Sequence, residues 1–127
     1  MDSACCKNAI LIVEDNEDMQ LLLTTILADE GFLIHQAYEE KSALKIFERV
    51  KPQLVLLDLR LPGIDGISVY KKMKEIDKDV MVFIITAYGD KYIERKVREL
   101  GANDYFTKPF DNRLLIENIK NTLSKIN

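Results

Sequence analysis

The sequence predicts an α/β fold, an open five-stranded parallel sheet with helices on both faces. Three observations carry that reading. Five strand-sized apolar runs punctuate the 127 residues, helical spacing of apolar residues follows each run, and the strongest runs are apolar throughout rather than alternating. Alternation marks a strand with one wet face, whereas an unbroken Val/Ile/Leu run marks a strand buried on both. Right-handed crossovers then deliver the last residue of every strand to one edge of the sheet. Residues 1–8 read as an N-terminal tail and 9–127 as one domain, with no repeat, low-complexity tract or linker.

The first run, Ala9-Ile10-Leu11-Ile12-Val13, stops at Glu14-Asp15-Asn16-Glu17-Asp18. Carboxylates favour the first turn of a helix, and a helical stripe of Met19, Leu22, Leu23, Ile26 and Leu27 follows, with Leu21 off the stripe and Gly31 as its stop. Residues 32–37 form the second strand, with His35 at the surface or the edge of the core. A helix through Ala43, Leu44, Phe47 and Val50 closes at Lys51-Pro52, since proline cannot continue it. The third run, Val55-Leu56-Leu57, ends in Asp58 and a turn containing Pro62 and Gly63. The helix after it points Val69, Tyr70, Met73 and Ile76 inward and Lys71, Lys72, Lys74 and Glu75 to solvent. Residues 80–85 make the fourth strand, ending at Thr86-Ala87-Tyr88-Gly89. The fourth helix has only Ile93, Val97 and Leu100 as its stripe, so it is the least firmly packed. Gly101 stops it, residues 104–107 form the fifth strand, and Lys108-Pro109-Phe110 lead to a last helix with Leu115, Ile116, Ile119, Leu123 and Ile126 buried. Met19, Leu22 and Phe110 are expected in the core or at its margin.

Composition narrows the function. Eighteen Lys plus Arg against 21 Asp plus Glu give a net charge of -3, so no basic field draws the domain to nucleic acid or an anionic membrane. Cys5 and Cys6 are neighbours and cannot staple one part of a fold to another, which fits reduced thiols in a cytoplasm. No apolar run is long enough to span a bilayer, and the start lacks the basic-then-apolar pattern of a secretory signal.

The shared sheet edge collects Glu14 and Asp15 from the first strand, Asp58 from the third, Thr86 from the fourth and Lys108 from the fifth. Three crowded carboxylates repel, so either some hold protons or a hard divalent cation sits among them. Ligands that are all oxygen favour Mg2+. A hydroxyl and an ammonium facing that cation are an odd addition for metal storage, but they suit the oxygens of a phosphoryl group. Asp58 then reads as a nucleophile that accepts phosphate as an acyl phosphate, with Mg2+ and Lys108 offsetting the charge. Taken singly, each residue has a plainer role: a strand-end Asp caps a turn, and Thr, Lys or Tyr sits at a surface.

On those residues, together with Ile85-Thr86-Ala87-Tyr88-Gly89, Gly101-Ala102 and Lys108-Pro109-Phe110, the sequence resembles the receiver domains of two-component response regulators. The resemblance covers all but the first few residues, and is strongest in look to the single-domain sporulation phosphorelay type and to the receivers of sigma-54 activators. It implies a flavodoxin-like strand order 2-1-3-4-5. It implies a signalling domain rather than a classical enzyme, in which Asp58 takes phosphate from a sensor histidine kinase or a histidine phosphotransferase. Asp15, Asp58 and the carbonyl of Arg60 would ligate Mg2+, with Glu14 assisting through water, while Thr86 and Lys108 grip the phosphoryl group. Thr86 and Tyr105 would form the switch, and the Lys108-Pro109 bond would be cis. Arg60 and Tyr88 match positions that overhang the phosphoryl group and govern its hydrolysis. Met19, Leu22, Pro109 and Phe110 match the kinase-docking region. The face of the fourth helix, fifth strand and fifth helix would signal to a downstream protein or effector domain, from a monomer or weak dimer. Whether the chain acts alone or within a longer one is left open. Glu14 stands where many members carry Asp, which lengthens one arm of the metal site.

Two rivals of other classes fit less well. A haloacid dehalogenase-type phosphatase also uses a strand-end Asp, but on its first strand and with a second Asp two residues on, where this chain has Arg60 beyond Asp58. A flavin carrier of the same fold needs a hydroxyl- and glycine-rich first loop to cradle phosphate, and Glu14-Asp15-Asn16-Glu17-Asp18 would repel it.

Overall fold

The structure, a computed structural model, describes residues 6–61, 64–87 and 91–124. Strands β1 (Cys6–Val13), β2 (Leu33–Ala37), β3 (Pro52–Leu57), β4 (Met81–Thr86) and β5 (Asp104–Thr107) alternate with helices α1 (Glu17–Ala28), α2 (Glu40–Val50), α3 (Gly66–Ile76), α4 (Lys91–Glu99) and α5 (Asn112–Ser124). All sheet pairings are parallel and the strand order is 2-1-3-4-5, as expected. Between β3 and α3, Arg60–Leu61 pairs antiparallel with Ile64–Asp65. Pro62, Gly63, Tyr88, Gly89 and Ile126 lie outside the described residues.

Side-chain alternation along the strands builds two cores. Leu11, Val13, Val55, Leu57, Val82 and Ile84 face α2, α3 and α4, where Phe47, Met73 and Val97 meet them. Ile10, Ile12, Leu54, Leu56, Phe83 and Ile85 face α1 and α5, against Leu23, Leu27, Leu115 and Ile119. Each such side chain removed from water is worth about 1.5–3 kcal/mol, so the sheet is the stable platform on which the edge residues stand.

Local signals set the helix ends. Asn16 caps α1 by accepting from the Met19 N–H at 2.8 Å, and Glu39 caps α2 by accepting from Lys41 and Ser42. Lys51, at φ 53°, ends α2 in the left-handed conformation before Pro52 opens β3. Gly101, at φ 105°, turns the chain from α4 to β5 where few other residues could.

Four expectations are corrected. Strand β1 begins at Cys6, ahead of the 9–13 run, because Cys6 pairs with Pro52 across an irregular stretch in which Asn8 takes φ 64°. Leu22 is exposed rather than core, and its place on the inward face of α1 is taken by Gln20. Ile76 is also exposed, standing at the last turn of α3, and Lys74, expected in solvent, is half-buried with its ammonium on the Lys78 carbonyl at 3.0 Å.

Candidate functional site

The parallel ladder continues one residue past the strand ends, and this aligns the acids. The Glu14 N–H donates to the Ala37 carbonyl at 3.0 Å, and the Asp58 N–H donates to the Val13 carbonyl at 3.0 Å. Glu14 and Asp58 therefore emerge side by side at the carboxyl end of the sheet, where open α/β folds bind ligands. Both are buried, while Asp15 is exposed. Carboxylate oxygens of Glu14, Asp15 and Asp58 lie within 4.8 Å of one another.

Lys108 closes the cluster from the far side. Its Nζ donates to Glu14 Oε1 at 2.6 Å and to Asp58 Oδ2 at 3.1 Å. The other Asp58 oxygen, Oδ1, accepts from the backbone N–H of Arg60 at 2.9 Å, and Glu14 Oε2 accepts from the Asn16 N–H at 3.1 Å. Lys108 is placed by its own backbone, whose N–H donates to the Thr86 carbonyl at 2.9 Å, and its peptide bond to Pro109 is cis, as expected. Burial holds the Glu14 carboxyl above its ordinary 4.5, against the lowering effect of the Lys108 and Asn16 hydrogen bonds. For Lys108, burial disfavours the charge, but the hydrogen bond to Glu14 and the neighbouring carboxylates outweigh it and raise the ammonium above its ordinary 10.5.

Thr86 is buried at the end of β4, and Tyr105 is half-buried on β5, opposite Ile84 in the register that also pairs Thr86 with Thr107. Tyr105 packs against the core shared by α3 and α4, with its hydroxyl out of solvent. Met19 is half-buried, Leu22 and Pro109 are exposed, and Phe110 packs edge-on to Phe106 with ring centroids 6.4 Å apart. Arg60 presents an exposed side chain from the residue that holds Asp58, and Tyr88 lies outside the described residues.

Two residues of the site's framework escaped the sequence reading. Gln20 is fully buried under the Glu14 backbone. Gly66 lies so close to Leu59, the residue after Asp58, that a Cβ on it would stand 2.4 Å from Leu59 Cα. The signal for Gln20 was present: three and seven residues before Leu23 and Leu27, it occupies the apolar stripe.

The donor set fits a hard cation. Three carboxylates supply only oxygen, on an open sheet edge with one acid exposed to receive water ligands. The comparisons with known proteins agree with this geometry. Residues 10–120 match the family model of the response regulator receiver domain. The chain is 41% identical over 116 residues to the sporulation initiation phosphotransferase F of Bacillus subtilis, covering 91% of this chain and 90% of that one. It is 38% identical over 104 residues to the regulatory protein AtoC of Escherichia coli, covering 82% of this chain but 23% of that protein. Among solved structures, a CheY-like receiver domain protein from Methanospirillum hungatei superposes with a TM-score of 0.87 at 27% identity, covering 92% of this chain and 94% of that one. A CheX-CheY-BeF3-Mg complex from Borrelia burgdorferi gives 0.85 at 27% identity, with 90% and 87% covered. Strand order, edge chemistry and sequence thus converge, and the chain belongs to the response regulator receiver domains of two-component signalling.

Proposed function

We propose that the chain is a phosphoacceptor in which Asp58 takes a phosphoryl group from a phosphohistidine of a sensor histidine kinase or histidine phosphotransferase, with Mg2+ as cofactor. The observation that carries this is one ammonium, Lys108 Nζ, shared by Glu14 and Asp58 at 2.6 and 3.1 Å in a cluster that Asp15 completes. A lone pair of an Asp58 oxygen forms the new P–O bond while the P–N bond breaks, and the electron pair of that bond stays on the imidazole nitrogen. The Arg60 N–H fixes the orientation of the carboxylate. Lys108 moves its donors from Asp58 to the phosphoryl oxygens, where negative charge develops. Mg2+, held by Asp15, Asp58 and the Arg60 carbonyl with Glu14 assisting through water, would supply Lewis-acid stabilisation of the phosphoryl charge.

Thr86 supplies a hydroxyl to the same group, and its movement is coupled to Tyr105 on the adjacent strand, so that the acyl phosphate alters the α4–β5–α5 face read by a downstream protein or effector domain. Exposed Leu22 and Pro109, with Met19 and Phe110 at the core margin, form the surface on which the phosphodonor docks. The names of the relatives, a phosphotransferase among them, support this reading. No helix of the described residues is long and apolar enough to cross a membrane, and the cytoplasm is the compartment we assign.

Intact mass after incubation with acetyl phosphate, with and without Mg2+, tests the proposal on the parent and on Asp58→Asn. One Mg2+-dependent phosphoryl adduct on the parent and none on the variant is the expected result. Folded parent without an adduct would overturn it.

A further inference from the structure

Gln20 is the one fully buried polar side chain of α1, and its amide nitrogen points at three backbone carbonyls. Nε2 lies 3.0 Å from the Ile12 oxygen, 3.2 Å from the Glu14 oxygen and 2.9 Å from the Ala37 oxygen. These acceptors belong to the ends of β1 and β2, and the Ala37 carbonyl also accepts from the Glu14 N–H at 3.0 Å, so the amide adds to the last bonds of the ladder and ties the Glu14 carbonyl beyond it. Two N–H bonds serve three acceptors, while Oε1, equally buried, has no hydrogen-bond partner among the described residues. The side chain is therefore held for its donors alone.

What those donors hold is the turn that carries the acids. The Glu14 carbonyl is bound by Gln20, the Glu14 N–H by Ala37, and Glu14 Oε2 by the Asn16 N–H, whose residue also caps α1. Asp15, exposed between two tethered neighbours, takes its direction from them. We infer that Gln20 is a positioning residue, a strut from α1 that fixes the backbone of Glu14 and Asp15 so that their carboxylates converge on Asp58. It touches no reacting atom. The inference rests on the reading of that cluster as a Mg2+ site.

The test is Mg2+ affinity by calorimetric titration of the metal alone, with amide exchange at Glu14 followed in parallel. Gln20→Met keeps the volume and removes the donors. It is expected to bind Mg2+ about tenfold more weakly, in the range seen when a group that orients metal ligands is lost, and to exchange the Glu14 amide faster. Ile119→Val, on the buried face of α5, provides a variant that melts earlier and is expected to keep parent affinity, which separates positioning from general loosening. If Gln20→Met fails to fold, Gln20→Asn, whose amide is one methylene too short, carries the same expectation. Parent affinity in a folded Gln20 variant would overturn the inference alone. A parent protein that does not bind Mg2+ would overturn the metal-site reading and the inference with it.

Discussion

Lys108 Nζ stands 2.6 Å from Glu14 Oε1, joining residues 94 apart in the chain across the end of the sheet. The same ammonium reaches Asp58, so it is the cation against which two buried carboxylates are set. Breaking a buried pair by removing one partner costs about 3–5 kcal/mol, because the other charge is left uncompensated. Lys108 is itself 15% exposed, and water that reaches it reduces the loss. Lys108→Met is expected to destabilise the protein by about 1–3 kcal/mol without Mg2+, and by less with it, since the metal takes over the neutralisation. Urea midpoints in the two buffers give the comparison. Equal losses would mean that Mg2+ does not bind at this cluster.

Gly66 is set by packing rather than by dihedral. Its N–H donates to the Leu59 carbonyl at 2.9 Å, and an added methyl would meet Leu59 Cα at 2.4 Å and its carbonyl oxygen at 2.7 Å. These are backbone atoms and cannot swing away. Gly66→Ala is expected to cost about 1–3 kcal/mol, as overpacking does, and to shift the segment that carries Asp58. A variant that melts like the parent and forms adduct at the parent rate would show that the loop yields freely.

What could be read in the sequence followed from burial on both faces. Runs such as Val55-Leu56-Leu57 can only be central strands, and the residues just after such strands must meet at one edge, so Glu14, Asp15, Asp58, Thr86 and Lys108 were legible as a group. What escaped depends on tertiary contacts. Helix α1 is leucine-rich on several sides, so periodicity admitted Leu22 to the stripe, whereas the sheet edge offered carbonyl acceptors that drew Gln20 inside instead. The start of β1 was hidden because Lys7-Asn8 is polar and Asn8 breaks the regular ladder while its N–H bonds Gln53. The Leu59–Gly66 approach leaves no trace in local pattern at all.

Tyr70 gives a pH dependence away from the site. Its hydroxyl donates to the Leu100 carbonyl at 3.0 Å, and burial raises the phenol above its ordinary 10.0. With the folded value above the unfolded one, this contribution is fully present below pH 10.0 and is lost as pH rises through the folded value. Lys108, also raised, adds to the loss in the same alkaline direction. Tyr70→Phe is expected to be less stable by about 0.5–1.5 kcal/mol at neutral pH, the worth of one hydrogen bond, and to lose less on going to alkaline pH. Urea unfolding of both proteins at neutral pH and at pH values above 10.0 measures this, and parallel losses would exclude Tyr70 as a source.

Arg60 offers Asp58 a backbone contact and a side chain that can be removed separately. Its backbone N–H holds Asp58 Oδ1 at 2.9 Å, and its side chain stands exposed on the segment that follows Asp58. Substitution to alanine keeps the first and removes the second, so Arg60→Ala tests whether that side chain shields a phosphoryl group on Asp58 without releasing the carboxylate. Tyr88, two residues beyond Thr86 in the sequence, is the matching bulky residue and lies outside the described residues. An acyl phosphate decays by attack of water in line with the leaving carboxylate, and side chains over that approach slow it by exclusion. The double variant Arg60→Ala with Tyr88→Ala is expected to lose its phosphate about tenfold faster, a barrier lowered by roughly 1.4 kcal/mol, while still forming the adduct. Adduct decay followed by intact mass after removal of the donor decides it. Decay no faster than the parent's would mean that the lifetime is set by the cluster of Glu14, Asp15 and Lys108 itself, and that the overhanging side chains serve recognition instead.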